Sequence, residues 1–335
     1  MLRQDAAILA RQLLPEGSIQ GGEWKCSASN SPTGSPISVC IAGKKKGLCG
    51  FWDSEKGGDM LDLIETVEGL TKKGAVDWAK VWLGIDGGVP ATRQNLQAKR
   101  VKAQQSIQRR EVDSAEQERR NIAYAQKIWK ETVPLSGAAA SYLRHRGLDP
   151  TFAEDLRLAT SLKHPEGGNF PALVGRVQDV AGKGIGVWRI FVKINGDGKA
   201  PVDNPKMGLG KFIGGAVRIG GVDTEIGIAE GFETAIACRQ LVSLLVGKRM
   251  PVWATLSAAG MAALELPEQI SAVRVYADAD TEKMRGGIIR PSPGLKAANE
   301  LADKYRQRGV RVIIERPPTD MDWLDVLNSK VIRAA

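Results

Sequence analysis

Apolar residues recur at helical spacing along GGDMLDLIETVEGLTKKGAVDWAKVWLG: Met60, Leu61, Ile64 and Val67, then Ala75, Trp78, Ala79 and Trp82. Gly69 lies between the two sets, which predicts two short helices, and GIDGGVP ends the unit. Residues 15–58 before them are rich in glycine and turn residues, so 1–90 reads as one small domain. The pattern then changes. Residues 91–132 are dense in Lys, Arg, Gln and Glu with few apolar positions, which predicts a long solvated helix joining two domains.

From 133 the apolar density returns. SYLRHRGLDP predicts a helix ending at Gly147. PALVGRVQDVAGKGIGVWRIFVKINGDGKA gives β-rich runs broken at VAGKG and INGDG, where hairpin turns are expected. After 224 strands and helices alternate: EIGIAEG, FETAIACRQLVSLLV, PVWATLSA with a short helix to Leu266, AVRVYADAD, GLKAANELADKYRQRG and VRVIIERPP. Such alternation predicts a parallel, helix-covered sheet, whose functional groups sit at the carboxyl ends of its strands. The fold class is therefore α+β and multi-domain, with boundaries at 1–90, 91–132, 133–222 and 223–335.

Composition narrows the partners. Lys and Arg number 47 against 38 Asp and Glu, a formal charge of +9 that favours an anionic partner, nucleic acid being the usual one. With only His145 and His164, a histidine-rich metal site or a Ser–His hydrolase is excluded as a first choice. Nothing approaches the roughly 18–20 apolar residues of a membrane span. The amphipathic start, MLRQDAAILARQLLPEGSIQ, does not read as a secretory signal, so the expected location is the cytoplasm.

The acids then mark the chemistry. Glu230 follows the strand Ile226–Ala229, and Asp278 and Asp280 follow Val273–Tyr276. Asp320, Asp322 and Asp325 follow Val312–Ile314 and a proline turn. Three strands thus finish in carboxylates at one sheet edge, as hard divalent ions that align phosphates require. Taken singly, each acid equally suits a helix start.

IAEGFETA, YADAD with the later GLKAA, and DMDWLDVL together resemble the Toprim domain of primases and topoisomerases, in the version found in bacteriophage and plasmid primases of the bacterial DnaG-like type. The resemblance implies Glu230, Asp278 and Asp280 as catalytic. It implies Mg²⁺ or Mn²⁺ held by Asp278, Asp280, Asp322 and Asp325 with Glu230. Glu233 fits the Glu-Gly-x-Glu-Thr form of the phage version. Upstream, SYLRHRGLDP, PALVGRVQD, VWRIFVKINGDGKA and NPKMGLGKFIGG resemble the N-terminal half of the primase RNA-polymerase core. There the family carries basic residues along its template and nucleotide path, which implies Lys206 and Lys211, with Arg144, Arg146 and Arg189.

WKCSASNSPTGSPISVC and GLCGFWDSEKGGDMLDLI resemble the zinc-ribbon domain that precedes this core. A structural zinc takes four Cys or His ligands in close pairs. Here Cys26 and Cys49 stand at first-of-pair positions, but Ser29 and Trp52 stand where their partners belong, and Cys40 lies in a strand. A ribbon that has lost its zinc is expected; a site of Cys26, Cys40, Cys49 and Asp53 is the alternative. Lys44, Lys45 and Lys46 with Phe51 and Trp52 either bind single-stranded DNA or, in the case of the aromatics, pack the small core.

The resemblance implies a primase that joins ribonucleotides on a single-stranded DNA template from nucleoside triphosphates. A Toprim nuclease using the same carboxylates, or a non-catalytic DNA-binding replication module, are the rivals. The sequence holds no Gly-x4-Gly-Lys-Ser/Thr loop, so a replicative helicase partner is expected as a separate chain.

Overall fold

The computed structural model describes residues 1–52, 57–85, 90–278, 283–285, 288–290 and 292–334. The chain divides into two compact units, Met1–Ala115 and Glu116–Ala335.

The first unit opens with α1 (Ala6–Leu13) and builds an antiparallel sheet in the order β1 (Ser18–Gln20), β2 (Glu23–Cys26), β3 (Ile37–Cys40), β4 (Cys49–Phe51), β5 (Gly57–Gly58). Period-two alternation puts Trp24, Cys26, Ile37, Val39 and Cys49 on one buried face. That face is covered by α1, α2 (Met60–Glu68) and α3 (Lys72–Leu83), which contribute Leu9, Leu63, Ile64, Ala75, Ala79 and Trp82 to the same core. The helix pair appears as the pattern predicts. Asp59 and Asp62 form a capping box at the start of α2, and Gly69 closes it in the left-handed region at φ 63°.

Helix α4 (Pro90–Glu131) crosses the division between the units. Residues 111–120 are exposed, as expected of a solvated helix, but its last turns are not a tether. Ala125 and Ile128 are buried against Val174, Val187 and Phe191 of the second unit's sheet.

The second unit holds a ten-stranded mixed sheet. Its path runs β10 (Lys206–Gly210), β9 (Gly184–Phe191), β8 (Asn169–Gln178), β11 (Ala216–Ile219), β13 (Val252–Ala254), β12 (Glu225–Ala229), β14 (Ala272–Tyr276), β17 (Arg311–Glu315). Off this path, β6 (Val133–Pro134) pairs with β7 (Arg157–Lys163), and β7 with β8. The strands β13, β12, β14 and β17 are mutually parallel, and those before them are antiparallel. Segments 133–222 and 223–335 therefore share one sheet, joined where β11 pairs antiparallel with β13.

One face carries α5 (Gly137–His145), α6 (Phe232–Val246) and α9 (Trp323–Ala334) over a core containing Leu143, Leu173, Phe232, Ile236 and Leu327. On the opposite face of the parallel part, α7 (Ala258–Ala263) and α8 (Pro293–Arg306) pack on Ile226, Ile228, Val273 and Val275. Strands buried on both faces explain the near-continuous apolar runs read in the sequence. β15 (Lys283–Arg285) and β16 (Ile288–Arg290) pair separately. No helix among the described residues is long and apolar enough to cross a membrane.

Candidate active site

The acids fall at one edge, as the alternation implies. β12 and β14 run parallel with Ala229 opposite Tyr276, so Glu230 and Asp278 leave neighbouring strands at nearly the same level. β17 continues the order beyond β14, with Tyr276 opposite Glu315, and its exit leads to the 320–325 segment. Both Glu230 and Asp278 are half-buried. Asp280 lies outside the described residues.

Two non-glycine residues among those described hold positive φ, and both flank this edge: Leu256 at 70° and Asp320 at 63°. Leu256 stands two residues after β13, and its N–H donates to the Glu230 carbonyl at 2.7 Å. A leucine in the left-handed region costs about 1–3 kcal/mol, so the surrounding structure fixes this turn against its intrinsic preference.

Asp322 and Asp325 have a structural task as well. The Asp325 N–H donates to Asp322 Oδ1 at 2.8 Å and the Asp322 N–H to Asp325 Oδ2 at 3.0 Å, a reciprocal cap on α9. These bonds engage one oxygen of each carboxylate. The helix-start alternative weighed for single acids thus applies to this pair, and it does not compete with the other two oxygens for a cation.

Among the described residues, no three His, Cys, Asp or Glu side chains converge closely enough to hold a metal. The donor type nonetheless fits Mg²⁺ or Mn²⁺: every candidate is a hard oxygen ligand. Magnesium commonly takes only one or two carboxylates and keeps waters and substrate phosphates in its remaining positions.

Glu233, on the first turn of α6, has a different role from the strand-end acids. It accepts from the Tyr142 hydroxyl at 2.9 Å and from Arg146 Nε at 2.9 Å, and Lys206 Nζ lies 2.5 Å from its other oxygen. Burial works against the ionised form, yet Lys206, Tyr142 and Arg146 together hold its carboxyl below the usual range. Lys199 joins the group: its ammonium pKa is lowered by burial and by Lys206 and Arg146, with Glu233 opposing. Three cations therefore gather around one carboxylate, leaving the cluster electropositive and suited to an anion.

The basic residues expected along a nucleotide path separate in space. Arg146 and Lys206 meet at Glu233. Arg144 is exposed at the end of α5. Lys211 lies 3.7 Å from Glu118 of α4 instead. Arg189 departs most from expectation: it is 6% exposed, sits over Phe191 on the α4 face and donates from Nη2 to the Gly208 carbonyl at 3.1 Å. It sits on the interior face because alternation along β9 pairs its orientation with Val187 and Phe191, so it holds the sheet rather than a phosphate.

Tyr142 and Lys199 were missed by sequence reasoning. Their partner Glu233 lies 91 and 34 residues away in the chain; the available signals were a tyrosine inside SYLRHRGLDP and a lysine just after the INGDG turn.

In the first unit, Cys26 and Cys49 are 2% and 5% exposed and face the core, while Cys40 faces the other way. Strand β3 runs between Cys26 and Cys49, so two strand spacings, roughly 10 Å, separate them. Zinc holds each sulfur at about 2.3 Å and cannot bridge such a gap. Cys49 donates to the Asp59 carbonyl at 3.1 Å and Cys40 to Glu23 Oε1 at 3.4 Å. Burial, with Asp62 and Asp59 nearby, pushes the Cys49 thiol up to about 12, away from the thiolate a metal needs. The alternative ligand Asp53 lies outside the described residues. Of the two aromatics, Phe51 packs at the core margin and Trp52 is 70% exposed at the end of β4, whereas the exposed Lys44 and Lys45 lie in the turn before that strand.

Residues 225–332 match the Toprim domain family, and residues 119–219 match a family described as a domain of unknown function, DUF7146. The parallel sheet with its strand-end acids is thus a Toprim domain, set in a mixed α+β chain. No curated protein sequence matches the chain. Similar solved structures include the Aquifex aeolicus primase with its zinc-binding and RNA polymerase domains, at 14% identity, covering 97% of this chain and 84% of that one, with a TM-score of 0.37. The primase fragment of the bacteriophage T7 primase-helicase protein is 13% identical over 57% of this chain and 70% of that one, also at 0.37. T7 primase domains in a lagging-strand polymerase complex are 14% identical over 56% and 85%, at 0.35. At such identities and TM-scores these likenesses carry no argument about chemistry.

Proposed function

We propose that the chain is a primase that joins ribonucleotides on single-stranded DNA by metal-dependent nucleotidyl transfer. The observation that carries this reading is the shared edge of the Toprim sheet, where Glu230 and Asp278 leave adjacent parallel strands and the 320–325 segment follows the next. The cation cluster around Glu233 on α6, the helix that follows Glu230, supports it.

Asp278 and Asp280, with the carboxylate oxygens of Asp322 and Asp325 that the cap does not use, would hold Mg²⁺ or Mn²⁺. Such an ion would neutralise phosphate charge and favour attack of the 3′-hydroxyl at the α-phosphorus, with the α–β bond broken and pyrophosphate leaving. Glu230 accepts the proton of the attacking 3′-hydroxyl. Arg146, Lys199 and Lys206 bind the triphosphate, and Glu233 positions two of them by holding their charged heads together. Exposed Arg144 and Lys211 would add contacts to template phosphates, and Trp52, Lys44 and Lys45 would offer stacking and charge to single-stranded DNA on the first unit. The partners are template, nucleoside triphosphates and a separate helicase.

The test is incorporation of labelled nucleotides on primer-free single-stranded DNA with Mg²⁺ or Mn²⁺, beside an Asp278→Ala/Asp280→Ala variant. Short products lost in the variant support the reading. Absence of products with DNA binding intact sinks it in favour of a binding module, and cleavage without added nucleotides points to a nuclease.

A further inference from the structure

Helix α4 ends against the sheet face opposite the one that carries α5 and α6. Its Ala125 and Ile128 fill the core there, and Trp129 lies half-buried at the margin of the same cluster. Two guanidiniums stand over that ring: Arg157 Cζ is 5.2 Å and Arg176 Cζ 5.5 Å from its centroid. The strands explain the meeting. Arg157 of β7 is opposite Val174 of β8, and Arg176 is two residues further along β8, so period two sends both side chains to the α4 face. Gly184 on β9 leaves room for the Arg176 stem, because a Cβ there would come within 3.1 Å of Arg176 Cδ.

The charges at this spot are not balanced. Among the described residues neither arginine, nor Lys130 beside Trp129, forms an ion pair. Arg176 Nη2 donates to the neutral amide of Gln178 at 3.3 Å. Glu131, the acid that follows Lys130, pairs with Lys127 at 3.9 Å, and Asp179, just past β8, accepts from the Lys183 N–H at 2.9 Å. Three cations thus surround one indole. The ring attracts a guanidinium held over its face, and such stacking leaves N–H groups at the guanidinium rim for an oxyanion.

A cavity of about 180 Å³ lies beside the ring, walled by Gln126, Trp129, Lys130, Arg176, Gly184 and Val187 among others. An apolar cavity of about 150 Å³ accepts benzene, and sites for drug-sized molecules start near 300 Å³. The space therefore suits one base of a longer strand rather than a whole nucleotide. A base inside a duplex is stacked between its neighbours, whereas one in a single strand can leave the stack and enter. We propose that the end of α4 is a binding site for single-stranded nucleic acid, in which Arg157, Arg176 and Lys130 hold backbone phosphate and one unstacked base lodges beside Trp129. The site uses neither the strand-end acids nor a metal, so it stands apart from the nucleotidyl-transfer reading. It is also separate from the Glu233 cluster: Ala172 and Val174 of β8 face α4, while Leu173 and Val177 face the core under α5 and α6.

The experiment follows binding of a labelled oligothymidylate of about 20 nucleotides to the full chain by anisotropy, in EDTA, without triphosphates and across a salt series. Arg157→Gln/Arg176→Gln should weaken binding roughly 10-fold at low salt and shrink the salt slope by about 0.7, the share of one phosphate on a single strand. Lys130→Gln, at an exposed position, should weaken it about 3-fold. An oligonucleotide carrying 5-iodouracil should crosslink on irradiation to the peptide that holds Trp129. Free dTMP at the same total nucleotide concentration should not displace the strand. Thermal unfolding verifies that each variant is folded; should the double variant fail, Lys130→Gln and the wild-type crosslink decide. No binding by the wild type overturns the proposal. So does affinity unchanged in the folded variants, a crosslink confined to other peptides, or displacement by dTMP. Nucleotide incorporation is no part of this readout, so failure of the catalytic reading leaves the result unaffected.

Discussion

The small antiparallel sheet and the Toprim edge both carry residues whose type and order suggest metal ligation, and the fold treats them in opposite ways. Cys26 and Cys49 point into an apolar core beside Trp24 and Val39, two strands apart. Glu230 and Asp278 stand just past the ends of adjacent parallel strands, half-buried. The difference follows from the side chains. A thiol behaves as a small apolar group, so a core can absorb it. A carboxylate cannot be absorbed without a large desolvation cost, so it stays at an edge whether or not an ion joins it. Cysteines are therefore hidden inside the fold, whereas strand-end acids remain legible at its surface.

The largest expected effect separates the two regions by metal removal. EDTA should lower nucleotide incorporation by more than about 100-fold and leave the thermal unfolding midpoint unchanged. Were a structural zinc present, its loss would remove about 10–16 kcal/mol and unfold the small domain. Circular dichroism and elemental analysis would decide; zinc near one per chain, or a midpoint that falls on chelation, breaks the comparison.

The parallel strands, their helices and the acids that follow them were readable because period and position act locally. Gly69 as a helix divider and the VAGKG and INGDG turns were readable for the same reason. Strand order was not, since β12 lies between β13 and β14 through contacts no local pattern encodes. The end of α4 was misread as solvated, although Ala125, Ile128 and Trp129 stand at helical spacing; the polar residues around them masked a short apolar stripe. The Glu233 cluster joins residues that are distant in the chain, so the sequence suggested Glu233, Arg146 and Lys206 without their meeting point and did not single out Tyr142.

That cluster yields the next effect. Glu233→Gln leaves Lys206 and Arg146 without their shared charge partner. The cost should be about 2 kcal/mol, below the 3–5 of a fully buried pair because both cations are partly exposed. The folded carboxyl titrates below its unfolded value, so its contribution is present above the unfolded pKa and is lost as pH falls through the folded one. Denaturation of wild type and variant should therefore differ fully at pH 7 and converge only as the pH falls below the ordinary glutamate range. A gap that persists at low pH would mean that shape, not charge, is what Glu233 supplies.

The cysteines sharpen the contrast from the other side. Cys26→Ser puts a hydroxyl into an apolar core and should cost about 1–3 kcal/mol. Cys40→Ser, half-buried on the other face beside Glu23, should stay within about 0.5 kcal/mol. Urea midpoints of the two variants test this, and equal losses would mean that both sulfurs serve one site after all.

Tyr276→Phe carries the smallest change and the opposite sign. Glu233→Gln and Cys40→Ser each alter a group with a hydrogen-bond partner; this one removes a buried hydroxyl that has none. The phenyl ring keeps its edge contact with Trp323 and its place over Gly227, so packing is retained. Removing an unpaired buried polar group should then stabilise the second unit by about 1 kcal/mol, seen as a higher urea midpoint. A destabilised variant would mean that solvent already pairs the hydroxyl. The Toprim domain would then hold an ordered water behind Asp278 where a stabilising substitution is predicted.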